Sequence, residues 1–316
     1  MDGVFINQYA CSNELYQSSG STPMGLGVFC HEFSHCMGLP DMYDTNYSNT
    51  PTMGDWDLLA SGSYNGPNGI GWCPAGWTSY ERVYAGWLDI EELKAGDIIT
   101  GMKDLEDYEG KAYAIYNDNH RDEFYLLENH KNRGWDAYTP EGGLLVIHVD
   151  YDKALFDNNI VNSKGTFTPA QGYDGTYTND HPRMAPFSKI RSVTNETYYY
   201  TYPMEAPRGV LDSLTNVSKP AATLYNALDD GSTLMGKPIY NIKKDAETGD
   251  ISFSFMTKDT GVETAVREIS YSEDSFSAED NVYDLTGKLV GKRAGSLKPG
   301  IYIIGNKDRT RKIIVR

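Results

Sequence analysis

The run His31-Glu32-Phe33-Ser34-His35-Cys36-Met37-Gly38-Leu39-Pro40-Asp41 holds the densest chemistry of this 316-residue sequence. Residues four apart on an α-helix differ by roughly 40° in azimuth and about 6 Å in height, so His31 and His35 present two imidazoles to one point. Imidazole nitrogen suits Zn²⁺, and a catalytic zinc takes three protein ligands while keeping one position open. Gly38 stands where a helix commonly ends at positive φ, a turn that folds the chain back under the metal. Pro40 blocks continuation of the helix, and Asp41 returns a carboxylate as the third ligand. Glu32 lies about 100° round the helix from His31, near the zinc without ligating it. It is the expected general base, taking a proton from a zinc-activated water as that water attacks a peptide carbonyl and passing it to the leaving amine. A bare His-Glu-x-x-His arises by chance in about one 300-residue chain in 25. Gly38 and Asp41 at fixed offsets reduce this to the order of one in 10⁴, which favours a metal site over an amphipathic helix with two satisfied histidines.

Outward from this run, Val4 to Tyr9 reads as a strand, Met24 to Gly38 as the helix, and Asp44 to Gly76 as a long loop rich in Gly, Asn, Ser and Pro. A second helix begins after Thr78, with Glu81 completing a capping box and Tyr80, Val83, Tyr84 and Trp87 forming one apolar stripe. Residues 91–258 change to short strands between turns: Tyr113–Tyr116, Phe124–Leu127, Leu144–Val149 and Ile251–Phe255. Residues 259–274 are polar and aperiodic, as in a linker, and residues 275–316 form a compact all-β pattern. The class expected is α+β: a helix-bearing part over residues 1–90, an antiparallel β-rich region, and a small C-terminal β module.

A net charge of −16 repels nucleic-acid phosphates and anionic lipid headgroups, which argues against nucleic-acid and membrane partners. The longest apolar run, Leu144 to Val149, has the length of a buried strand and not of a membrane span. Met1 to Asn7 has no basic region followed by an apolar stretch, so nothing there reads as a signal peptide. Cys30 and Cys36 stand about 9 Å apart along a helix, too far to bridge each other. Free thiols are expected, with Cys11 or Cys73 as partners in an oxidising compartment.

The segment His31 to Asp44, followed by Asp55-Trp56-Asp57-Leu58-Leu59-Ala60-Ser61-Gly62-Ser63-Tyr64-Asn65-Gly66, closely resembles the immune-inhibitor-A-like zinc metallopeptidases of bacteria. The resemblance implies a metzincin-like catalytic domain in which His31, His35 and Asp41 are the ligands and Glu32 the base. It also implies a Met-turn floor, with Leu59 at the methionine's position. Downstream segments around Phe124 to Asn129, Gly143 to Asp150 and His181-Pro182 extend the likeness. His148 and Asp150 share a strand face, where a second metal or substrate contact competes with a plain hydrogen-bonded pair. Tyr64 is a candidate transition-state donor. Asp44, Asp55 and Asp57 are candidate Ca²⁺ ligands against the plainer reading of solvated carboxylates.

The tail, especially Val282 to Gly287 and Pro299 to Ile304, resembles the sorting domains of the type IX secretion system, implying contact with that machinery and a secreted or cell-surface location. Since 30 residues precede His31, the upstream sheet of such a catalytic domain is expected to be missing in part. The reading is a secreted zinc endopeptidase acting on proteins or peptides. The alternatives are an inactive protease remnant and a surface binding or adhesion β-protein.

Overall fold

The computed structural model describes residues 9–17, 20–168, 174–187, 189–190, 198–199, 201–206, 209–258, 281–284, 286–291, 300–305 and 310–315. All of the expected strand Val4 to Tyr9 except Tyr9, and the expected linker 259–274, lie outside these residues. The chain divides into two compact units, Met1–Asp259 and Thr260–Arg316. Few helices and several sheets make it α+β, as the pattern predicts.

In the first unit the helices are α1 (Gly27–Cys36), α2 (Ser79–Tyr84) and α3 (Lys153–Asp157). α1 is shorter than the predicted Met24 to Gly38 because both ends are committed elsewhere. At its start the amides of Gly25 and Gly27 bond to the carbonyls of Ile70 and Gly71, at 2.9 and 3.0 Å. A Cβ on Gly27 would meet the Ser63 carbonyl oxygen at 1.8 Å, so only glycine allows this approach. At its end Leu39 N bonds to Ser34 O and Gly38 N to His35 O, with Gly38 at φ +94°: a Schellman turn.

The strands are β1 (Glu91–Glu92), β2 (Ile98–Met102), β3 (Tyr113–Tyr116), β4 (Glu123–His130), β5 (Gly143–Asp150), β6 (Gly165–Phe167), β7 (Tyr177–Asn179) and β8 (Met184–Pro186). The main sheet runs β1-β3-β4-β5-β8, antiparallel apart from the β1–β3 pair. Ile239–Lys244, Ile251–Phe255 and β2 form a second antiparallel sheet, and β6 and β7 a hairpin pair. Each face of the main sheet has its own cover. On one, Tyr125, Leu127, Leu144 and Val146 share a core with Met102, Ile239, Ile251, Phe253 and Phe255. On the other, Leu126, Leu145, Ile147 and Val149 share a core with Leu39, Met42, Met53, Trp56, Leu58 and Leu59. A strand covered on both faces needs apolar residues at successive positions, which is why Leu144 to Val149 reads as an almost unbroken apolar run. The helix-bearing part and the β-rich part are therefore joined through one sheet.

A polar network is buried beside this junction. Glu128 and His130 of β4 meet at 2.8 Å, and His130 faces Asp136 at 2.9 Å. Glu128 also accepts from the Ser79 amide at 2.6 Å, and the edge of Trp56 rests on the His130 ring. Glu81, fully buried, accepts from the Thr78 amide at 2.8 Å as the predicted capping box. All four cysteines are free thiols.

In the second unit Leu289–Gly291, Asn281–Tyr283, Gly300–Gly305 and Thr310–Val315 pair in that order as an antiparallel sheet. This matches the all-β texture of the tail.

Candidate metal centre

The carbonyl oxygens of Leu58 and Leu39 lie 2.8 Å from Nδ1 of His31 and of His35 respectively. A carbonyl can only accept, so each Nδ1 carries a proton, and in the neutral ring each Nε2 keeps its lone pair. Both Nε2 atoms face Asp41 Oδ1, at 3.1 and 3.2 Å. That oxygen is buried and has no hydrogen-bond partner. Three lone-pair donors thus converge on one another. Four ligands arranged tetrahedrally at about 2.0–2.1 Å from zinc stand about 3.3 Å apart, so the set fits a zinc ion. Among the described residues His31, His35 and Asp41 are the group gathered tightly enough to hold a metal, their ligand atoms lying within 4.8 Å of one another.

The electrostatics favour positive charge beside Asp41. Burial favours protonation of Asp41, but the contacts from His31, His35 and Asn159 outweigh it and hold the carboxyl well below the usual carboxylate range. The same carboxylate, against the effect of burial, raises His35. Two imidazoles facing one anionic oxygen need positive charge between them, supplied by protons or by a metal.

The turn under the site is well determined. Asp57 Oδ1 accepts from Leu59 N at 2.7 Å, and Leu59 O accepts from Met42 N at 2.8 Å. Leu59, the residue at the position the resemblance assigns to methionine, is fully buried in a core with Met42, Met53 and Trp56. Gly38 permits the return from helix to Asp41: its φ is +94°, and a Cβ would approach the Tyr84 hydroxyl at 2.5 Å. Gly38→Ala is expected to cost about 1–3 kcal/mol, read as a lower denaturant midpoint. An unchanged midpoint would contradict this account of the turn.

The structure separates the other expected site residues. Glu32 is half-buried on α1, within electrostatic reach of His35. Tyr64 is half exposed and makes no ring contact with either histidine; Tyr43 does, its ring stacked on His31 at 6.2 Å. Burial first, then Asp41, pushes the Tyr43 phenol up to about 12. Tyr43 lies two residues beyond Asp41 at a bend in the chain, and no local pattern in the sequence marks it. The calcium expectation finds no support: Asp44 accepts from Ser48 and Thr50 within its own loop, Asp55 is exposed, and Asp57 is buried beside Glu81. His148 bonds to Glu123 at 2.8 Å and stacks on Tyr225, while Asp150 meets Arg183 and His181 at 2.6 and 2.7 Å. Each is thus bonded to other partners and not to the other, and among the described residues they form no gathered metal set.

A gathered His-His-carboxylate set, two of its three members buried, with a glutamate one residue past its first histidine is a metallopeptidase type of centre. Residues 18–87 match the family model described as immune inhibitor A peptidase M6, catalytic domain. The chain is also similar to the pre-pro-metalloprotease PrtV of Vibrio cholerae serotype O1, in strains M66-2 and ATCC 39315 / El Tor Inaba N16961. In each case identity is 33% over 103 residues, covering 30% of this chain and 11% of the relative. The chain thus matches about a tenth of the length of these relatives. No solved structure matches. These similarities support a metallopeptidase.

Proposed function

We propose that the chain is a zinc-dependent endopeptidase that hydrolyses peptide bonds of protein or peptide substrates outside the cell. The observation that carries this reading is Asp41 Oδ1, buried, without a hydrogen-bond partner and aimed at two imidazole Nε2 atoms. Zinc held there supplies Lewis acidity, polarising a carbonyl oxygen and making water acidic near neutral pH. The chain's own residues supply the rest. With His31, His35 and Asp41 as three ligands, a fourth position is left for water or substrate. The Glu32 carboxylate takes a proton from the attacking water and delivers it to the leaving amine nitrogen. Tyr43, about a third exposed and kept as a neutral phenol, offers a hydrogen bond to the carbonyl oxygen as it gains negative charge. The extracellular location rests on the likeness of the tail to type IX sorting domains. No helix among the described residues is long and apolar enough to cross a membrane.

Purified chain is expected to carry one zinc, lost in Asp41→Ala, and to cleave a denatured protein substrate in a reaction stopped by chelator and restored by zinc. A wild-type chain that takes up no zinc, or whose cleavage ignores chelator, would refute the proposal. An adhesion protein would have no need of an orphaned carboxylate oxygen against two lone pairs.

A further inference from the structure

We infer that Asn159 is a positioning residue of the metal centre, so that the site is built from two parts of the chain and is incomplete without the segment Asn159–Lys164. The inference rests on the zinc reading above and adds a residue to it. Asn159 clasps Asp41 at two points: its Nδ2 donates to Asp41 Oδ2 and its Oδ1 accepts from the Asp41 amide, both at 2.6 Å. With Oδ2 and the backbone both fixed, the carboxylate has one free oxygen, and that is the oxygen turned to the imidazoles. The clasp also presents Asp41 as a one-oxygen ligand, the mode that suits a four-coordinate zinc.

The backbone at Asn159 sharpens the point. α3 ends in a Schellman turn, with Ile160 N bonded to Leu155 O, Asn159 N to Phe156 O, and Asn159 at φ +59°. Glycine is the usual residue at this position, and asparagine is the side chain that tolerates it best. Here the carboxamide is put to use on Asp41. The neighbouring residues hold the same loop: Asn162 Nδ2 donates to Met42 O at 2.8 Å, Thr45 shares a hydrogen bond with Ser163 at 2.8 Å, and Asn46 Nδ2 donates to Lys164 O at 2.8 Å. The family match ends at residue 87, so this half of the centre lies outside the matched stretch.

Outer partners of metal ligands typically govern about 10–100-fold in metal affinity. Asn159→Gly keeps the backbone conformation and removes the clasp. In the full chain it is expected to weaken zinc binding about 10–100-fold by competition with a chromophoric chelator, and to alter the visible spectrum of the Co²⁺-loaded protein, with the thermal midpoint of the metal-free chain little changed. Asn159→Asp, which replaces the donor by a like charge against Oδ2, is expected to weaken zinc at least as much. Wild-type zinc affinity and an unaltered Co²⁺ spectrum in both variants would overturn the inference while leaving the zinc reading intact. A fall in metal-free stability without any change in zinc affinity would likewise overturn it, as the mark of a purely structural contact. Failure of the zinc reading shows separately, as wild-type protein that binds no zinc and is indifferent to Asp41→Ala.

Discussion

Glu32→Gln is expected to lower kcat/KM on a protein substrate by about 10²–10⁴-fold while the chain keeps its zinc. Glu32 is one residue past His31 on α1, so the helix turns it about 100° away from that residue, within electrostatic reach of His35. Its carboxylate is not one of the gathered groups, which are His31, His35 and Asp41. Glutamine keeps the length and shape of the side chain but cannot accept a proton from water or return one to the amine. The loss should therefore fall mainly on kcat, with zinc stoichiometry unaltered by elemental analysis. A variant that keeps wild-type kcat would remove Glu32 from the mechanism. One that loses its zinc would make Glu32 part of the binding set instead.

His130→Phe is expected to destabilise the first unit by about 3–5 kcal/mol at neutral pH, the cost of removing one partner from a buried ion pair. Burial by itself would lower the His130 imidazole, but Asp136 and Glu128 outweigh it and push it up to about 10. The histidine is thus a fixed cation between two carboxylates, and an aromatic ring of similar size leaves both without it. Because its folded value exceeds the unfolded 6.5, His130 contributes stability that is full below about 6.5 and lost as pH rises through about 10. Glu81 adds to the same trend: burial pushes it up to about 7, so its contribution is full below about 4.5 and lost as pH rises through 7. Glu123 runs the other way. Burial would raise it, but His148, the Tyr225 amide and Asn117 bring it down to about 2, and the stability it contributes above about 4.5 is lost as pH falls through 2. Denaturant midpoints measured across pH should fall on the alkaline side in the wild type, with a shallower alkaline fall in His130→Phe. Equal slopes would show that His130 is not the charge responsible.

The convergence of His31, His35 and Asp41 was legible because helical periodicity and one turn at Gly38 define it within a single short run. The capping box at Thr78 and Glu81 was legible for the same reason, as was the antiparallel pairing implied by short apolar strands. Burial of Glu81 was not, because it follows from packing α2 against β4, a contact no local pattern encodes. Asn159 escaped notice since nothing between residues 41 and 159 announces that a helix-ending asparagine will meet a carboxylate. The sequence offers Tyr64 as a donor and does not single out Tyr43, whose ring the fold stacks on His31. Three loop aspartates suggested calcium by composition, but their backbones point them to three different places.

The clasp between Asp41 and Asn159 spans 118 residues of sequence, with most of the main sheet between them. Closing so long a loop has a large entropic cost, recovered only after β4 and β5 have paired and α3 has been laid beside Met42. The metal centre is therefore a late product of folding. Under the zinc reading proposed above, a chain still emerging from its synthesis holds two histidines on a nascent helix but not the oriented carboxylate, and is a weak metal binder. Competence arrives with the completed sheet.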